Sequence, residues 1–90
     1  MSAALFAPGQ IVITAHAKDV LHTADVPVCL GRHLSGDWGE LCEEDRNENE
    51  RALTQGLRLF SVYRDRNQSK FYIITEHDRS VTTILLPEDY

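Results

Sequence analysis

The sequence predicts a small α+β domain in which helices pack on one face of an antiparallel sheet. Two observations lead there. From Leu57 onward the chain has three segments rich in β-branched and aromatic residues, Leu57–Tyr63, Lys70–Thr75 and Ser80–Leu86, separated by polar clusters too short for a crossover helix. Before them, residues 15 to 55 carry helical spacing and cap signals instead. At 90 residues, 42% hydrophobic and 26% charged, the chain has room for one compact core, so residues 1–90 are expected to form a single domain.

Gln10–Thr14, a β-branched run after Pro8 and Gly9, is expected as an N-terminal strand. Ala15 to Thr23 has Ala17, Val20 and Leu21 at helical spacing, giving a stripe that can pack on a sheet. Asp25 is a cap for a second short helix ending near His33, with Pro27 tolerated in its first turn and Gly31 weakening it. Ser35–Gly39 is a turn. Asp37, with Glu40 three positions on, has the logic of a capping box for a helix from Trp38. Glu48 to Gln55 is the clearest helix, because Asn47 can cap it, Glu50 stands at its third position and Gly56 sits where a left-handed C-cap belongs. The three later segments form a meander joined by 64–69 and 76–79, and Pro87 ends its last strand.

Fourteen acidic residues against nine basic ones leave a net charge of -5, which disfavours general binding to nucleic acid through a basic face. The first nine residues lack a basic stretch and their apolar run is broken by Pro8, so a cytoplasmic location without a membrane segment is expected. Cys29 and Cys42 lack C-x-x-C spacing and are expected as buried free thiols rather than metal ligands. No phosphate loop, nucleophile elbow or H-E-x-x-H motif occurs, and no cofactor is expected.

Three constellations could carry function. In the first, His33 would act as a general acid and Glu76 as a base, with Arg58 and Arg79 holding a phosphate, the parts a metal-independent ribonuclease needs. The plainer reading is that Asp37 caps a helix, Trp38 anchors it to the sheet, and Arg32 and His33 bind carbonyls at a helix end. In the second, seven acidic residues and one basic residue, Arg46, lie between Asp37 and Glu50. Glu40, Glu44 and Glu48 form a row at helical spacing, with Glu43 beside them. This ridge could imitate a phosphate backbone or steer a basic partner, or be only a solvated face. In the third, Arg58, Arg64, Arg66, Lys70 and Arg79 interleave with Tyr63, Phe71 and Tyr72, as in surfaces that stack single-stranded nucleic acid.

The segment Arg32-His33-Leu34-Ser35-Gly36-Asp37-Trp38-Gly39, followed by Asn49-Glu50, Ala52-Leu53, Gly56 and Arg58, then Ile74-Thr75-Glu76, Arg79-Ser80 and Thr82 to Pro87, resembles a family of small, uncharacterised bacterial proteins of plasmids and prophages. The spacer from Arg64 to Lys70 is longer than that family's turn. The resemblance brings no catalytic residues. It implies a mobile-element setting, where inhibitors of host defence, toxins and antitoxins are common. The resulting expectation is a non-enzymatic accessory protein that binds a host or element-encoded protein, as an anti-CRISPR or anti-restriction inhibitor does. A small ribonuclease or toxin-like enzyme and a regulator that binds nucleic acid directly are the alternatives.

Overall fold

The computed structural model describes residues 4–90, which run β1 (Gln10–Ile13), α1 (Ala15–Val20), α2 (Asp25–Leu34), α3 (Glu43–Gln55), β2 (Leu59–Arg64), β3 (Lys70–Thr75), β4 (Val81–Leu85) and a 3-10 turn over Pro87–Asp89. The class is α+β, as expected. The three later strands form the antiparallel meander, with Tyr63 opposite Phe71 and Ile73 opposite Ile84. The sheet as a whole is mixed rather than antiparallel, however, because β1 joins β4 in parallel, Gln10 opposite Val81 and Ile13 opposite Ile84, giving the order β1-β4-β3-β2. Helices follow β1 directly and carry the chain across the sheet, so β1 and a later strand can run the same way.

Inward-facing residues of the strands meet α1 and α2 in one cluster, in which Ala17, Leu21 and Cys29 pack on Tyr63, Phe71, Ile73 and Ile84. α1 stops at Val20, short of Thr23, and is capped by the Thr14 hydroxyl accepting the Ala17 N–H. In α2, Asp25 is the first helical residue rather than its cap, and its carboxylate is taken by the backbone and guanidinium of Arg66. The helix passes through Gly31 and ends at Leu34.

The region after α2 departs most from expectation. No helix begins at Trp38, and Asp37 caps none; its carboxylate pairs with Arg32, Nε to Oδ2 at 2.8 Å. Residues 38–40 instead run alongside β2, with Val62 N–H donating to the Trp38 carbonyl and Glu40 N–H donating to the Val62 carbonyl. Gly39 permits this approach, because at φ +76° a Cβ there would lie 1.9 Å from the Val62 oxygen. α3 then starts at Glu43, earlier than Glu48, so Asn47 lies inside the helix. Its N-cap, Cys42, makes no side-chain bond, and the first turn is stabilised by Glu43, Glu44 and Asp45 against the helix dipole. Cys42 is therefore exposed, not buried, whereas Cys29 is buried. Gly56 closes α3 in the left-handed conformation, as expected.

α3 lies against the outer edge of β2, where the Asn49 amide accepts the Phe60 N–H at 3.1 Å and donates to its carbonyl at 2.6 Å. Trp38 is buried among Leu41, Ala52, Leu59 and Val62, stacks on Phe6, and donates its indole N–H to Glu50 at 2.8 Å. It thus ties α3 to α2 and the sheet. Trp38→Ala should cost ~3 to 5 kcal/mol in a denaturant titration. Gly39→Ala should cost more than ~2 kcal/mol, because it adds both a left-handed strain and a backbone clash; a melting temperature like the parent's would remove residues 38–40 from the account of how β2 is closed.

Candidate functional site

His33 follows exposed Arg32 on α2, and the rotation of about 100° from one helical residue to the next carries its ring into the core, where it is 0% exposed. There it joins a buried hydrogen-bonded chain. Thr82 Oγ1 lies 2.7 Å from the Pro8 carbonyl, which can only accept, so Thr82 donates to it and accepts from Thr75 at 2.7 Å. Thr75 then accepts from His33 Nε2–H at 2.9 Å, and His33 Nδ1 accepts from the Ser61 hydroxyl at 2.5 Å. The direction of the chain assigns the Nε2–H tautomer. Burial, with the charge of Arg79 adding to it, pushes the imidazole down to about 4. His33 is neutral at physiological pH and binds side-chain hydroxyls, not helix-end carbonyls.

The other members of the proposed ribonuclease site lie elsewhere. Glu76 and Arg58 face each other across the surface at 3.8 Å, both about half exposed. Arg79, at φ +61°, spends its guanidinium on carbonyls, donating to Leu57 at 2.6 Å, Ala52 at 3.0 Å and Glu76 at 3.1 Å. It fastens the end of α3 to the β3–β4 turn. An acid sealed beneath the sheet and a carboxylate on its rim do not meet at one bond, so His33, Glu76, Arg58 and Arg79 form no common site. Arg32 and Asp37 form an exposed ion pair, and the Arg32 guanidinium also lies 4.8 Å over the Tyr63 ring. Among the described residues no three His, Cys, Asp or Glu side chains come together to hold a metal ion.

The acidic residues are arranged differently. Glu40, Glu43, Glu44 and Glu48 are all exposed, but Glu40 precedes the helix and pairs with Arg64 at 3.1 Å, so it is not in the helical row. Glu43 and Glu44 lie on the outer side of α3, away from inward Asn49 and Ala52, whereas Glu48 stands on its flank, facing the groove beside the sheet. Glu48 also pairs with Arg51 at 3.2 Å, one turn on. Asp45 and Glu48 line a groove of about 340 Å³ between α3 and the sheet, together with Phe60 and Tyr90. The groove has its own cation on one ring: Arg58 sits 5.5 Å from the Tyr90 centroid.

Basic residues of the meander, by contrast, are mostly satisfied internally. Arg64 holds Glu40, Arg66 holds Asp25 at 2.9 Å, Arg58 faces Glu76, and Arg79 holds carbonyls. Phe71 and Tyr63 are buried in the core, and Tyr72 is half-buried. Four residues escaped the sequence reading. Ser61, Thr75 and Thr82 are polar residues at inward strand positions, and that alternation was their signal. Asp65, buried at the β2–β3 turn, accepts the N–H groups of His22, Asn67 and Ser69; burial works to raise its carboxyl, but these three donors hold it below the usual range.

His33 makes stability depend on pH with a definite sign. Its folded-state pKa of about 4 lies below the ordinary 6.5, so between these values the unfolded chain binds more protons and stability falls as pH falls. The loss should approach ~3 kcal/mol by pH 4. Asp25, held down to about 2 by hydrogen bonds from Arg66, and the lowered Asp37, Asp65, Asp78 and Asp89 act in the same direction but below that window. Chemical denaturation at a series of pH values should show the slope between pH 6.5 and 4, and His33→Gln, less stable at neutral pH, should lack it. Compared with models of protein families, with curated proteins and with solved structures, the chain has no match.

Proposed function

We propose that this chain is a small non-enzymatic protein that acts by binding a basic protein partner through the outer face of α3. The observation that carries this reading is an asymmetry in how charge is used. Arg58, Arg64, Arg66 and Arg79 are engaged by the chain's own acceptors, while among the described residues Glu43, Glu44 and Asp45, the exposed first turn of α3, have no ion-pair partner. A surface on which most arginines are engaged internally and a group of carboxylates is left without ion pairs steers toward positive surfaces. The proteins with the largest such surfaces are those that grip phosphate backbones. Together with the resemblance to mobile-element proteins, this favours a nuclease or CRISPR complex of host defence as the target, inhibited by competition with its nucleic acid.

The reading is tested with purified defence nucleases and the protein at several salt concentrations. Glu44→Lys with Glu48→Lys should slow association at least ~10-fold while leaving melting unchanged, since exposed substitutions shift stability by less than ~0.5 kcal/mol. Raising salt should weaken the parent complex, because screening acts within ~8 Å at physiological ionic strength. Binding indifferent to both charge reversal and salt would assign the ridge to solvation alone. Cleavage of RNA by the purified protein, retained in His33→Gln, would point to an activity from residues outside the proposed quartet and would overturn the non-enzymatic reading.

A further inference from the structure

We infer that β1 is a self-pairing edge, through which two copies of this chain join antiparallel into one continuous eight-stranded sheet. The inference does not depend on the acidic ridge. It begins from the unequal treatment of the two sheet edges. On β2 the outward backbone groups are closed: Val62 is bridged to Trp38 and Glu40, and Phe60 is held on both its N–H and its carbonyl by the Asn49 amide. On β1 nothing comparable is present among the described residues. Gln10 and Thr14 donate inward to Ser80 and Ile84 of the β4 side. In a parallel ladder alternate residues face the neighbour, so Ile11 and Ile13 present their N–H and carbonyl groups outward.

This open edge carries none of the usual guards. Between Gln10 and Thr14 there is no charge and no proline, and Ile11, Val12 and Ile13 are 48%, 41% and 36% exposed. Its pattern is also its own complement. A two-fold axis at Val12 sets Ile11 of one copy opposite Ile13 of the other, which are the residues with outward backbone groups, and sets Val12 opposite Val12. All the facing pairs are then β-branched, the favourable class of cross-strand pair.

The self-complementary register selects a second copy as the occupant, and the charge distribution permits it. Each copy carries -5, so self-association needs an approach that keeps the acidic surfaces apart. Residues 4 to 20 hold one Lys and one Asp, and α3 lies beyond β2, at the far edge of the sheet from β1. Three strand spacings place the ridge ~14 Å or more from the seam in each copy, beyond the ~8 Å screening length. A seam of three residues from each copy alone falls short of the ~1,000 Å² that a specific interface buries. The remainder comes from the helix-covered side, where a groove of about 180 Å³ lined by Ile13, Leu21, Val26 and Pro27, with Lys18 and Thr23 also lining it, opens beside the strand and the second copy's Ile11 would lie next to it.

Sedimentation equilibrium on the parent protein up to roughly 100 µM, the range of a modest interface, should give twice the 10.2 kDa mass of one chain. Val12→Lys, which sets two ammonium groups face to face on the axis, should lower the dimer fraction at least ~10-fold, and so should Val12→Glu. Mixing these two variants should restore a one-to-one dimer, a result only self-pairing through Val12 produces. Should either variant fold poorly, amide exchange on the parent serves instead: the Ile11 and Ile13 N–H groups should exchange more slowly as concentration rises. A parent that stays monomeric with fast exchange at both amides, even one whose edge accepts an unrelated extended peptide, overturns the inference. So does a dimer that Val12→Lys leaves intact.

Discussion

The fold is organised around a single line of hydrogen bonds under the sheet, from Ser61 through His33, Thr75 and Thr82 to the Pro8 carbonyl. It crosses β2, α2, β3 and β4 and reaches the segment that leads into β1. Each member is buried or ends on backbone, so none can return to water if its neighbour is displaced, and an unpaired buried polar group costs ~1 to 3 kcal/mol. The line has one polarity because a carbonyl terminates it. Its consequence is specificity of arrangement: sliding any one strand by a single residue would turn its hydroxyl to the other face and orphan the rest. Among the described residues no buried side-chain nitrogen or oxygen lacks a partner.

Around that line the charged residues divide by role. Arginines act as internal fasteners, with Arg79 closing α3, Arg66 tying the β2–β3 turn to α2, and Arg64 holding the strip before α3. Exposed ion pairs contribute ~0 to 1 kcal/mol each, so their main effect is to fix which loop lies where and to remove positive charge from the surface. Carboxylates close to guanidinium or N–H donors are absorbed in the same way, as with Asp25, Asp37 and Asp65. What is left is the first turn of α3, where among the described residues Glu43, Glu44 and Asp45 have no ion-pair partner.

Much of this was legible in the sequence, and the failures share a cause. The meander was visible because alternation and β-branching are local, and Lys70–Thr75 matches the observed β3 residue for residue. Gly56 ended α3 as its conformation required. The start of α3 was missed because its first turn relies on three carboxylates and the dipole rather than on a hydroxyl cap at the expected place. Asp37 and Glu40 have the spacing of a capping box, but the strip from Trp38 to Glu40 closes the β2 edge instead, a tertiary demand that local spacing does not reveal. The place of His33 is not legible from its neighbours along the chain. One residue of α2 separates an exposed guanidinium from a buried imidazole, and only the inward hydroxyls on three separate strands show where that imidazole goes.

The parallel pairing of β1 with β4 also sets an order of events. Gln10 lies opposite Val81, about 70 residues away, while the β3–β4 hairpin closes over a short turn. Loop closure makes the first pairing costlier by ~2 kcal/mol than a hairpin of about six residues, so the meander has an entropic lead and β1 docks onto a surface already made. At a ribosome adding ~5 to 20 residues per second, β1 waits roughly 4 to 14 s for its partner to be synthesised. During that interval both sides of an apolar, uncharged strand are open. A nascent chain therefore exposes this strand well before the strand that covers it exists, and during that interval the strand edges of neighbouring copies on one polysome compete with β4 for it.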